Sequence, residues 1–182
     1  MRYLEKDNPH GGEWNFNYGQ LPIDKINRIK DFISYLEKYS KEKNIKLKLV
    51  NSQGIPYGDS NSLVNGYFDG EGHFGEGSVL ACSMCKDVQY WFPVLMHESS
   101  HMDQFIENDP TWTNNLGLDS TDKWINGDDT IDLNIISEEI RTGMDIEIDC
   151  EKRTIEKIKK FKLEDILDID EYIQKANAYI LF

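Results

Sequence analysis

His97-Glu98-Ser99-Ser100-His101 sets two imidazoles four residues apart, with a carboxylate directly after the first. On an α-helix, positions i and i+4 differ by about 40° in azimuth and about 6 Å in rise, so both imidazoles leave one face. That spacing suits two Zn–N bonds of about 2.0–2.1 Å to a single ion. Glu98 is rotated by about 100° from His97, too far round to be a third ligand but well placed to touch a water beside the ion. The pattern therefore predicts His97 and His101 as metal ligands and Glu98 as general base of a zinc-dependent hydrolase.

A catalytic zinc takes three protein ligands and keeps one position open. The extended motif, with Gly and a third His after His101, is absent, because Met102-Asp103-Gln104-Phe105-Ile106-Glu107-Asn108 follows. The third ligand must come from elsewhere. In the segment 133–161, Ile136, Ile140, Met144, Ile155 and Ile158 mark one apolar helix face, and Glu147 and Glu151 fall on it. A carboxylate on a buried face is costly unless something compensates it, and a metal would. Glu147 is the first choice for ligand. Glu151, one turn on, could accept a hydrogen bond from a ligand histidine, or take the ligand role itself. Glu138, Glu139 and Asp149 are the remaining candidates. Tyr179, Asn177, Tyr172 and Arg153 are all eligible to stabilise an oxyanion, and the sequence does not choose among them.

Other reactive side chains read as structural. Cys82-Ser83-Met84-Cys85 lacks the second pair of a zinc ribbon, since Cys150 is the only other cysteine. The pair is expected at a strand end, and Cys150 as a packing residue. His10 and His73 are expected to be solvated.

These residues need elements to position them. Residues 1–20 read as an irregular lead-in. Pro22 and the stripe Ile26, Ile29, Ile33, Leu36, Tyr39 predict a helix over 23–43. Residues 45–50 alternate apolar and charged and read as a strand, with further strands at 62–68 and 78–83. The glycine-rich stretch between them is acidic and has no P-loop lysine. Pro93 is expected in the first turn of the motif helix, which ends near Asn108. Residues 109–129 read as an ordered loop, 133–161 as a long helix, and 168–182 as a last short one. The order predicts one small α+β domain spanning 1–182.

The chain has 182 residues, enough for one domain with a real core. Lys and Arg number 20 against 33 Asp and Glu, a net charge of −13. Such a surface repels phosphate backbones and anionic lipid, so neither nucleic acid nor membrane is an expected partner. No signal peptide or membrane-spanning stretch is visible, and three cysteines make no disulfide scaffold, so a cytoplasmic location is expected.

With His97-Glu98-x-x-His101 on one helix and Glu147 on a later one, the chain resembles the zincin metallopeptidases of the gluzincin type. The segments His97 to Gln104 and Glu147-Ile-Asp-Cys-Glu151, with the closing KANAYILF, are similar to those of uncharacterised metallopeptidase-like proteins of phages and bacteria. The resemblance covers 78–182. It implies a zinc cofactor, a helical Glu as third ligand, and a peptide or protein substrate held along a strand edge before the motif helix. That edge would be 78–83 or 62–68. Where the family has Glu-x-x-x-Asp, this chain has Glu147-x-x-x-Glu151. The competing expectation is a non-catalytic binding or regulatory module on a zincin-like scaffold. The intact Glu98 argues against it, because a structural metal has no use for a base.

Overall fold

The computed structural model describes residues 17–58, 62–73 and 75–181, with 179–181 described by backbone alone. His10 and the side chain of Tyr179 lie outside the described residues.

Helix α1 (Ile23–Glu42) buries Ile29, Phe32, Ile33 and Leu36 along one stripe. It stops at Asn44, which takes the left-handed conformation (φ 56°). The N–H of Ile45 then returns to the Ser40 carbonyl at 2.8 Å, closing the helix end. This turn feeds directly into β1 (Lys46–Val50).

β1 runs parallel to β5 (Val79–Ser83), from Lys46 opposite Val79 to Val50 opposite Ser83. The strand β4 (Gly66–Asp69) lies antiparallel on the other flank of β5. β5 is thus the centre of a three-stranded mixed sheet and is buried at every position. A separate two-stranded ribbon joins β2 (Ile55–Pro56) to β3 (Leu63–Val64). The segment 62–68, expected as one strand, is therefore two. The chain changes partner at Asn65, whose carbonyl accepts from the Ser83 N–H at 2.7 Å.

The motif helix α2 (Val88–Glu107) starts earlier than Pro93 suggested, and Pro93 sits inside it. Asp87 caps its N-terminus by accepting from the Val88 N–H at 2.7 Å. Trp91 and Phe92 anchor the first turns in the core, 1% and 0% exposed. That packing offsets the loss of the hydrogen bond to the Gln89 carbonyl, which the Pro93 nitrogen cannot donate. The helix ends at left-handed Asn108.

Residues 109–129, expected as a loop, contain two short helices, α3 (Pro110–Thr113) and α4 (Asp119–Ile125). Each has a carboxylate at its N-terminus. Asp109 caps α3 by accepting from Thr111 N–H at 2.8 Å. Glu139, from the next helix, accepts from the N–H groups of Ser120 and Thr121 at the start of α4, at 3.1 and 2.8 Å. Capping supplied from another element leaves no local sequence signature.

Helix α5 (Leu133–Lys160) and helix α6 (Ile169–Leu181) complete the chain, giving an α+β architecture. The main core gathers α1, β1, β5, α2 and the end of α5 with the turn at Leu163 and Leu167. Phe32 sits at its centre, edge-on to both Phe92 and Phe161. Among the described residues no helix is long and apolar enough to cross a membrane.

Candidate metal centre

The site forms where α2 packs on α5. Two polar clamps fix that packing. Ser100 and Thr154 share a hydrogen bond of 2.9 Å. Buried Lys157 reaches across to Asp103 at 2.8 Å and Ser99 at 2.9 Å.

Between these helices, the imidazoles of His97 and His101 face each other with their Nε2 atoms 3.2 Å apart. Glu147 of α5 straddles them. Its Oε2 lies 3.5 Å from His97 Nε2 and its Oε1 lies 3.5 Å from His101 Nε2. An ion with tetrahedral bonds of about 2.0–2.1 Å separates its ligand atoms by about 3.3–3.4 Å. The two Nε2 atoms stand near that spacing from each other, and each Glu147 oxygen stands near it from one imidazole, Oε2 from His97 and Oε1 from His101.

The far side of each ring is also occupied. His97 Nδ1 lies 3.0 Å from Glu151 Oε1. The hydroxyl of Tyr172 on α6 donates to Oε2 of the same carboxylate. His101 Nδ1 lies 2.8 Å from Gln104 Oε1. Trp112 of α3 packs against His101 with ring centroids 6.1 Å apart.

The electrostatics are those of a site that wants positive charge. Burial opposes charging the imidazoles, but Cys150 and the carboxylates outweigh it. The pKa of His97 is raised to about 12 and that of His101 to about 10. Burial also opposes ionisation of Glu147, and the two histidines overcome it, lowering the pKa of this carboxyl. Glu147 Oε2 is nonetheless buried without a hydrogen-bond partner. A buried acceptor with no donor is rare, and a cation between it and the imidazoles would satisfy it.

Glu98 projects from α2 into a cleft of about 740 Å³ whose walls include Gly66, Val94, His97, Ile166 and Tyr172. Burial raises its pKa against the pull of the histidines, and the N–H of Phe68 on β4 hydrogen-bonds to it. Gly66 leaves the space this carboxylate needs. A Cβ there would lie 2.6 Å from Val94 Cγ1 and 3.3 Å from Glu98 Cγ.

A second donor set exists. His97, His101 and Cys150 offer donor atoms within 4.8 Å of one another. The sulfur lies 3.6 Å from His97 Nδ1, the nitrogen already turned to Glu151, and 3.3 Å from the His97 carbonyl. It approaches His97 on the Glu151 side of the ring and also acts on His101, whose pKa it helps to raise, so Cys150 stands beside Glu147 as a candidate third donor.

The other candidates are placed elsewhere. Glu138 pairs with Arg141 at 2.6 Å, Glu139 caps α4, and Asp149 binds Gln104 and Arg153. The expected stripe on α5 was rotated. Ile140 is 43% exposed, and the buried line runs through Ile136, Glu139, Ile146, Cys150, Thr154 and Ile158. The α2–α5 contact uses small and polar side chains, so aliphatic residues do not trace it. Glu147 and Glu151 lie at its margin, with side chains 24% and 12% exposed.

Of the residues considered for an oxyanion, Arg153 is held by Glu107, Asp109 and Asp149 at 2.5–2.6 Å, and Asn177 is exposed on α6. Tyr172 does line the cleft, but its hydroxyl is given to Glu151. His73 is 73% exposed beside Asp69, and all three cysteines are free. Sequence reasoning did not single out Gln104, although its i+3 spacing from His101 puts it on the same helix face.

Compared with protein-family models, curated proteins and solved structures, the chain matches none.

Proposed function

We propose that the protein is a zinc-dependent hydrolase, a metallopeptidase of gluzincin type, with His97, His101 and Glu147 holding the ion and Glu98 as general base. The observation that supports this most is the convergence of two Nε2 atoms on a half-buried carboxylate whose buried Oε2 lacks a hydrogen-bond partner. Zinc bound there would supply a Lewis acid for a substrate carbonyl and would lower the pKa of a water in its open position. Glu98 takes a proton from the attacking water and passes it to the leaving amine. Its raised pKa suits a group that must both accept and return a proton. Glu151 and Tyr172 orient His97 rather than touching substrate.

In this reading an extended peptide lies along β4. β5 is paired on both flanks, whereas β4 is paired on one side only among the described residues. Gly66 of β4 and Glu98 face the same cleft. The acidic chain has no complement for nucleic acid. Three free cysteines fit a reducing compartment, and we place the enzyme in the cytoplasm.

The alternative is a binding or regulatory module on the same scaffold. Glu98, set beside the metal donors at the cleft wall, favours the enzyme. The test is elemental analysis together with a peptide-library cleavage assay. The expected result is about one zinc per chain. Glu98→Gln should keep that zinc and lose about 10²–10⁴-fold in turnover. A protein that takes up no zinc at micromolar free metal, or a Glu98→Gln variant with full activity, overturns the proposal.

A further inference from the structure

The two imidazoles are supported differently. His97 leans on a carboxylate, whereas His101 leans on a neutral amide, Gln104, which is fully buried. An amide can face a ring nitrogen in either of two ways, and its surroundings decide which. The Nε2 of Gln104 lies 2.9 Å from the Ile146 carbonyl and 2.9 Å from Asp149 Oδ2, with Thr111 Oγ1 at 3.4 Å. The first two are pure acceptors, so the NH₂ group must point at them. Turned over, the amide would set its oxygen against two oxygens. Oε1 is therefore committed to His101 Nδ1, and since Oε1 can only accept, Nδ1 must carry a hydrogen.

The direction of the amide is itself held from outside. Asp149 also accepts from Arg153 Nε at 2.5 Å, and Arg153 is gripped by Glu107 and Asp109 at 2.6 Å each. The chain of polarity runs from Arg153 through Asp149 and Gln104 to the imidazole.

We propose that Gln104 is the positioning residue for His101, holding the ring with Nδ1 protonated and Nε2 turned toward Glu147. Its role needs an acceptor facing His101, and the NH₂ group at the other, oxygen-lined side fixes which way the amide faces. Methionine, of similar length, supplies neither. Glutamate can accept from His101 but would face Asp149 and the Ile146 carbonyl with a second oxygen. The inference rests on the zinc reading only for its affinity readout. The proton on Nδ1 can be observed with or without metal.

The experiment combines zinc competition against a chelator with NMR of the full chain labelled with ¹⁵N at histidine. In the wild type, the Nδ1 proton of His101 should appear as a low-field signal protected from solvent exchange, in metal-free and zinc-loaded samples alike. Gln104→Met should abolish that signal and weaken zinc by about 10–100-fold, the range for groups that orient a ligand. Gln104→Glu should keep the signal, which a role limited to filling space would not predict. Should Gln104→Met retain the signal and bind zinc within a factor of about three of wild type, the proposal fails. It fails equally if the wild type shows no protected Nδ1 proton, a result that holds even if Gln104→Met does not fold. A wild type that binds no zinc yet shows the signal, lost in Gln104→Met, would overturn the hydrolase reading and leave the positioning role standing.

Discussion

Tyr172 and His97 hold opposite oxygens of one carboxylate. The Tyr172 hydroxyl donates to Glu151 Oε2, while Glu151 Oε1 faces His97 Nδ1 at 3.0 Å. Burial and the neighbouring Glu151 raise the phenol pKa, so the hydroxyl stays a donor. Tyr172→Phe should therefore weaken zinc by a factor near the lower end of the 10–100-fold range for such partners. With saturating zinc, turnover should fall by less than about tenfold. Loss of an oxyanion donor costs about 10²–10³-fold, and a drop of that size would return Tyr172 to the reacting atoms.

Glu147 and Cys150 compete for the third position, and their substitutions separate them. Glu147→Gln should lower zinc affinity by more than the 10–100-fold expected of an outer partner, because a neutral amide is a poor ligand. Cys150→Ser should change it by less than about tenfold. The reverse order in a chelator titration would assign the site to His97, His101 and Cys150.

Gly66→Ala tests the wall opposite Glu98. The added Cβ would meet Val94 Cγ1 at 2.6 Å, the Ala81 carbonyl at 3.1 Å and Glu98 Cγ at 3.3 Å. Backbone on one side leaves α2 and Glu98 to move. Cleavage should fall by at least about tenfold while zinc stoichiometry stays near one. Equal activity would mean that Glu98 is not confined by β4.

Acid stability should report Glu139. Burial favours the protonated form of this carboxyl, but hydrogen bonds from Ser120 and Thr121 outweigh it and lower its pKa from 4.5 to about 2. A lowered folded-state value means the contribution is complete above about 4.5 and is lost as pH falls toward about 2. Urea midpoints of wild type and Glu139→Gln should differ at pH 6 and draw together as pH drops through that window. A gap that stays constant would show that ionisation of Glu139 plays no part.

That His97, Glu98 and His101 lie together was legible because they share one helix, where spacing alone fixes geometry. Helix α5 was legible as a helix but not in its rotation. Its contact with α2 is made by Cys150, Thr154 and Lys157 rather than by a run of aliphatic residues. Glu139 looked like an ordinary acid because its partners lie 18 and 19 residues earlier, in α4. The division of 62–68 into two strands was hidden for a similar reason. It depends on which neighbour each half meets, and only the folded sheet decides that.

Along the chain, 54 positions separate His97 from Glu151. Closing so long a segment carries an entropic cost that α2 alone cannot offset. A chain still emerging from synthesis, with α2 complete and α5 not yet docked, carries both histidines and Glu98 but neither Glu147 nor Glu151. The donors on α2 are thus made before the carboxylates of α5, and the two sets meet only when these helices dock.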